Sequence, residues 1–255
     1  MPLTFTPLES FPLVKPGDPL DELILKSLHD TRIELQDNDI LVIAQKIVSK
    51  AEGRLRNLAQ VVPSQAAYDL AAETGKDPRF VELVLEESTS VLRKRENTII
   101  VEHKNGFICA NAGIDHSNVR GDWGDEQDWV LLLPEDADRS ADQIRKTLEQ
   151  KSGAHLGILI IDSHGRAWRN GTEGIAIGIS GLPGLVDFRG IQDLFGFRLR
   201  ITQVAVADEL AAGASLMMGQ ASEGTPVVHV RGFPYPLREG SLQELIRPRD
   251  MDLFR

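Results

Sequence analysis

The stretch DNDILVIAQKIV, residues 37–48, decides how this chain is read. It opens on the turn formers Asp37, Asn38 and Asp39. It then runs apolar through Ile40, Leu41, Val42, Ile43 and Ala44, as a strand buried on both faces does. Polar side chains follow at once: Gln45, Lys46, Ser49, Lys50 and Glu52. A buried strand ending in lysines and amides delivers side chains to the edge of an α/β sheet, where ligands bind. Lys46 and Lys50 are four residues apart, so in a helix they share a face and reach one polyphosphate together. The plainer alternative is that both are solvated.

Working outward, HLGILII (155–161) reads as a second buried strand, and SADQIRKTLEQK (140–151) before it as a helix with Ser140 and Asp142 placed for capping. Upstream, 19–35 carries Leu20, Leu23, Ile24 and Leu28 at helical spacing, with Asp18 as N-cap. Residues 64–74 and 78–95 read as helices separated by Gly75, the first capped by Ser64 and the second opened by Pro78. The segments 98–103 and 107–110 read as a hairpin, followed by a polar loop at 120–129 and a short strand at 130–133. Downstream, GIAIGISG (174–181) is strand-like, with glycines that imply close backbone approach. Residues 203–218 are apolar nearly all round and predict a buried helix, leading to a last strand at 226–231. Strands and helices are interspersed rather than strictly alternating. The expected class is therefore α/β (α+β), a mixed sheet with flanking helices, and no linker divides residues 1–255.

Composition prunes the functions. With 42% hydrophobic residues a sizeable core is available. The 28 basic and 38 acidic residues give a net charge of −10, which excludes a broad basic surface for nucleic acid, so any phosphate site is local. The single Cys109 forms no internal disulfide and belongs to no Cys/His zinc set; a cytoplasmic protein is expected. The prolines near the start fit no signal peptide, and the longest apolar runs fall well short of a membrane span. There is no G-x-x-x-x-G-K-[ST], H-E-x-x-H or G-x-S-x-G motif and no well-placed G-x-G-x-x-G.

Acidic residues at strand ends remain. Asp115 lies in NAGIDHSNV, and Asp162 ends the strongest apolar strand with Ser163 beside it. Carboxylate and hydroxyl oxygens there suit a hard cation such as Mg2+ or Mn2+, and equally serve as turn caps. His116 and His164 adjoin the two aspartates as supporting groups, acid/base groups or ordinary turn histidines. Arg166, Arg169 and Asn170 cluster around Trp168 in either a ligand or a structural role. His29, His103, His155 and His229 read as structural or solvated, and Cys109 as a buried thiol.

Taken together, LVIAQKIVSKAEGR (41–54), CANAGIDHSNV (109–119), LLPEDADRSADQIR (132–145), IIDSHGRAWRNGTEGIAIGISG (160–181) and ITQVAVADELAAGASLMMGQA (201–221) closely resemble the coenzyme F420-0:glutamate ligase family, in its order and spacing. The resemblance runs from FPLVKPGD (11–18) to VVHVRG (227–232). It implies a ligase that uses GTP to add L-glutamate to the deazaflavin coenzyme precursor F420-0 and then further γ-linked glutamates. It also implies Mg2+ or Mn2+, an assisting K+, and an intertwined homodimer; the apolar segment 174–181 is read as surplus to a small monomer's needs. Position by position, it implies that Asp115, Asp162, Ser163 and Gln220 hold metal, with Asp115, Asp162 and Lys50 in the catalytic set. Its nucleotide contacts fall on Leu13, Val14, Lys15, Pro16, Gln45, Lys46, Lys50 and Asn118, and on Met218, Gly219, Gln220, Ala221, Ser222, Glu223, Gly224 and Thr225.

Two departures stand out: His116 is bulky where the family often has a small residue, and no fused flavin-reductase domain is expected at this length. The rival readings are a ligase of the same fold acting on another carboxylate, with loop 120–129 carrying the difference, and a non-catalytic nucleotide-binding oligomer.

Overall fold

A computed structural model describes residues 2–253. The first half contains β1 (Thr4–Pro7), α1 (Leu20–Asp30), β2 (Asp39–Ala44), α2 (Gln45–Ala51), β3 (Leu55–Asn57), α3 (Gln65–Thr74) and α4 (Pro78–Glu86). Then come β4 (Ser88–Arg95), β5 (Thr98–His103), β6 (Ile108–Ala110), β7 (Trp129–Leu131) and α5 (Ala137–Ser152). The chain continues with β8 (Leu156–Gly165), β9 (Thr172–Ser180), β10 (Val186–Asp187), β11 (Gln203–Val204), α6 (Val206–Met218) and β12 (Val227–Arg231).

The central sheet has the order β1-β12-β2-β8-β9. Only β2 and β8 run parallel; the other neighbours are antiparallel, so the sheet is mixed. The five-residue apolar run quoted at the outset explains its centre. Leu41 and Ile43 join the core on one face with Leu156, Ile158 and Ile160, while Ile40 and Val42 join the other with Leu159 and Ile161. The first face is covered by α1 to α5 and by the β4-β5-β6 sheet, the second by α6. The glycines of β9 mark close approach to these helices. A Cβ on Gly178 would stand 2.5 Å from the Ala137 carbonyl oxygen of α5, and one on Gly174 2.6 Å from that of Ala211 in α6. The apolar 174–181 segment is thus accounted for within the subunit, and is not the surplus that the sequence suggests.

The structure corrects several element boundaries. The helix expected over 78–95 stops at Glu86, and residues 88–95 form β4, paired with β5 from Ser88↔His103 to Arg95↔Thr98 around a tight turn with Asn97 at φ 60°. The β-branched Thr89 and Val91 favour a pleated surface, and the pairing partner decides the outcome. α1 lacks the expected Asp18 cap; that carboxylate instead accepts from the Lys15 N–H at 2.7 Å. α5 starts three residues early because Asp136 caps it, accepting from Arg139 N–H. α6 buries Ala207, Leu210, Ala211 and Ala214, but Leu216 and Met217 face outward, so it is not buried all round. No described helix is long and apolar enough to cross a membrane.

Candidate active site

Parallel pairing brings the C-terminal ends of β2 and β8 together, with Ala44 opposite Ile161. The next residues are Gln45, which opens α2, and Asp162 and Ser163, which continue β8. Gln45 and Ser49, one helical turn apart, are buried. The Ser49 hydroxyl donates to Gln45 Oε1 at 2.9 Å, and Gln45 Nε2 donates to Asp115 Oδ2 at 2.6 Å. Lys46 Nζ lies 2.7 Å from the same carboxylate oxygen. Lys50, on the same helical face, donates to the Asn118 carbonyl at 2.7 Å. Both lysines therefore grip the segment 115–118.

Asp115 arrives by an unusual backbone route. Asn111, Ala112 and Gly113 are consecutively left-handed, with φ of 52°, 54° and 65°. For the two non-glycine residues this costs roughly 1–2 kcal/mol each. It is tolerated because the flanks are pinned: Asn111 Oδ1 accepts from Ile99 N–H at 3.1 Å, and Asp115 exchanges two backbone bonds with Leu131, at 3.0 and 2.9 Å. Gly113 has no freedom to carry a side chain, since a Cβ there would meet Leu133 Cδ1 at 2.6 Å.

Alternation along β8 sends Asp162 and His164 to one face and Ser163 to the other. The imidazole Nε2 of His164 lies 2.9 Å from Asp162 Oδ2, its ring buried against Phe107. The Ser163 hydroxyl donates to Gln220 Oε1 at 3.0 Å, and Gln220 Nε2 donates to Ser215 Oγ at 3.0 Å. Asn118 Nδ2 donates to the Ala221 carbonyl at 3.0 Å and so ties the 218–225 loop to the Asp115 segment.

These parts enclose a cavity of about 900 Å3. The nucleotide-contact residues expected from sequence, 13–16, Gln45, Lys46, Lys50, Asn118 and 218–225, all line it, as do Asp162 and Ser163. Asp115 sits behind Gln45 and Lys46 rather than on the wall. The Arg166 cluster is not part of this cavity; Arg166 pairs with Glu173 at 3.0 Å across the β8–β9 turn, and Trp168 is exposed. Ser49, one of the polar residues after the β2 run, acts through Gln45, whereas Ser215 carries no sequence signal and is found only through its bond to Gln220.

The electrostatics distinguish the two carboxylates. Burial pushes the Asp115 carboxyl up, the Asp162 charge pushes it further, and Lys46 and Gln45 pull only part of the way back. Burial pushes Asp162 up too, but the His164 bond and charge and the Ser163 N–H outweigh it and leave it below the ordinary range. Lys50 is pulled down by burial and by the Lys46 charge. Cys109 behaves as a structural thiol, pushed up to about 12 by burial and by Asp162.

A sequence profile described as F420-0:Gamma-glutamyl ligase matches residues 9–232. The chain belongs to this family. Among curated relatives, proteins named coenzyme F420:L-glutamate ligase are similar over nearly their whole length. That of Methanothermobacter thermautotrophicus is 46% identical with all of both chains covered. That of Methanopyrus kandleri is 46% identical over 97% of each. That of Methanocaldococcus jannaschii is 43% identical over 96% of this chain and 94% of its own. The family's ligase character accords with a cavity built from lysines, amides and strand-end carboxylates instead of a glycine-rich phosphate loop.

Proposed function

We propose that the protein is an amide ligase that uses GTP to join L-glutamate to F420-0 and then extends the product with γ-linked glutamates. The observation that carries this reading is the convergence of Lys46, Lys50, Asp162 and Ser163 on one 900 Å3 cavity in a chain of this family. The relatives' name supplies glutamate and the deazaflavin coenzyme as substrates; GTP is the proposed driver.

A carboxylate is a poor electrophile because oxide is a poor leaving group. In the proposed reaction its oxygen takes the γ-phosphoryl group of GTP, the bond to the β-phosphate oxygen breaks, and GDP leaves. The glutamate amine attacks the resulting acyl phosphate, the carbon–oxygen bond breaks, phosphate departs, and the nitrogen releases a proton as the amide forms. Lys46 and Lys50 line the cavity and would offset the charge of a triphosphate there, while the Asn118 amide ties the 218–225 loop to the same cavity.

Mg2+ or Mn2+ fits the donor set. Asp162 and Ser163 present oxygen donors on the cavity wall, and the Asp162 charge raises the Asp115 carboxyl behind it, an effect that a divalent cation would offset. Among the described residues no three His, Cys, Asp or Glu side chains gather as a metal cluster. The carboxylates would therefore be supplemented by Ser163, Gln220 and phosphate oxygens. The bound ion would supply charge neutralisation to the phosphates. K+ belongs to the same reading and is tested by exchanging it for Na+ in the assay.

A homodimer is also proposed. The 186–204 arm, from β10 to β11, carries Leu194 at 97%, Phe195 at 95% and Ile201 at 88% exposure, and Leu216 on α6 is 85% exposed. Apolar surface of that extent calls for a covering partner. Light scattering should give twice the chain mass; an active monomer would contradict this part. The ligase reading is tested by incubating the protein with F420-0, GTP, Mn2+ and glutamate and weighing the products. Release of GDP that needs both F420-0 and glutamate is expected, and GDP release independent of glutamate would overturn it.

A further inference from the structure

A second cavity, of about 420 Å3, lies against the segment that carries Asp115. Lys76, Arg79, Phe80, Asn111, His116 and Gln127 are among its walls. Arg79 is already neutralised, lying 2.6 Å from Asp77 and 3.3 Å from Asp128. Lys76 is not: its ammonium stands 4.9 Å from the centre of the Phe80 ring, and no carboxylate pairs with it among the described residues. The other partner of that ring is the His116 imidazole, stacked with centroids 5.3 Å apart. Asn111 commits its Oδ1 to Ile99 and keeps its amide hydrogens free, and the Gln127 side chain has no hydrogen-bond partner among the described residues.

The cavity thus holds one cation without an anion and two amides with spare donors, one residue from Asp115 in sequence. The formal charges of Lys76, Arg79, Asp77 and Asp128 balance, which suits an amino acid with one surplus carboxylate better than a polyphosphate. Its size is that of a small-molecule site, and the larger cavity, lined by Asn118 to Asp122 of the same loop region, is the one proposed above for the nucleotide. A third cavity, near His29 and Arg231, adjoins the opposite end of β2, where Arg231 is already paired with Asp39. Burial pulls the Lys76 ammonium below its usual range, as befits a cation still lacking its counter-ion.

We propose that this cavity is the amino-acid subsite of the ligase, in which Lys76 pairs with a carboxylate of the incoming glutamate while the Asn111 and Gln127 amides flank it. The assignment rests on the ligase reading above and adds where the amine donor sits. Loss of one charge-assisted pair in Lys76→Met should raise KM for glutamate about tenfold, with KM for GTP moving less than about twofold. Lys76→Arg, which keeps the charge, should restore most of the affinity, and Gln127→Glu, which adds a like charge, should weaken glutamate again. Calorimetric titration of L-glutamate into the GDP-loaded protein reads the same subsite without turnover: heat of binding in the wild type should be lost in Lys76→Met. An unchanged glutamate KM and titration, or a parallel rise in the glutamate and GTP constants, would overturn the assignment. Wild-type protein that binds glutamate through Lys76 yet releases no GDP with it would uphold the subsite and reject the ligase.

Discussion

A carboxylate stands at each end of the β2–β8 pair, buried Asp39 at one and half-buried Asp115 at the other, and the two differ in their electrostatics. At the start of β2, Asp39 is 1% exposed and fully engaged: Arg231 donates to it at 2.8 and 2.7 Å, the Gln36 N–H at 2.9 Å, and His229 Nε2 lies 2.9 Å away. Burial pushes its carboxyl up, but those partners together hold it far below the usual carboxylate range. At the other end, Asp115 has Lys46 and Gln45 against both burial and Asp162, and it titrates above its ordinary value. Asp39 spends its charge fastening β12 and the 36–39 turn to β2. Asp115 is left above its ordinary value by burial and the nearby Asp162 charge, while Asp162, held below its own by His164, lines the cavity. Residue type is the same, but Asp39 is 1% exposed and the Asp115 side chain 25%, and the two differ in whether burial or the charged partners prevail at the carboxyl.

The comparison breaks most visibly at Asp162. Asp162→Asn keeps the shape and removes the charge, so turnover should fall on the order of 10³-fold or more, while the melting temperature stays within a few degrees. Melting and metal-dependent turnover measured on the same samples check both halves. At the other end the pattern inverts. Asp39→Asn strands Arg231 and His229 beside a neutral amide and should cost about 3 kcal/mol of stability, read by urea unfolding, with activity per folded molecule retained. Its pH signature follows from the sign of the shift. A carboxyl lowered on folding contributes stability that is fully present above the unfolded value near 3.9 and is lost as pH falls through that range toward the folded value. Wild type should therefore lose stability on acidification below about pH 4 more steeply than Asp39→Asn.

Two further substitutions sharpen the picture. Ser163→Ala removes one neutral oxygen donor that water can replace, so turnover should fall only about tenfold, with an accompanying rise in the Mn2+ concentration needed for half activity. Asp115→Asn should abolish activity but leave stability at pH 7 unchanged or raised by up to about 1 kcal/mol, because a carboxyl raised on folding destabilises the charged form. A clear loss of stability in Asp115→Asn would place Asp115 with Asp39.

Much of this was legible in the sequence because the local signals and the tertiary outcome agree. The uninterrupted apolar runs of β2 and β8 gave the sheet centre, and the polar residues immediately after each gave the cavity edge. The i,i+4 lysines were placed on one face by helix geometry alone. Elsewhere local signals were silent or contrary. Nothing between Val84 and Ser88 breaks the helical pattern, so β4 is specified by its pairing with β5. β1 pairs with β12, Thr4 with Arg231, across almost the whole chain. The turn delivering Asp115 places Ala112 at φ 54°, a conformation its side chain does not announce; the pinned flanks impose it. Asp39 looked like a turn former and became a buried anchor, because its partners come from a strand near the other end of the sequence.

The division of labour between the two ends is tested most directly by product mass analysis after incubation with F420-0, GTP, Mn2+ and L-glutamate, run side by side on wild type, Asp162→Asn and Asp39→Asn at a temperature where all three are folded. The account predicts glutamylated product and matching GDP from wild type and Asp39→Asn, and neither from Asp162→Asn. Product from Asp162→Asn at the wild-type rate, or its loss only in Asp39→Asn, would contradict it.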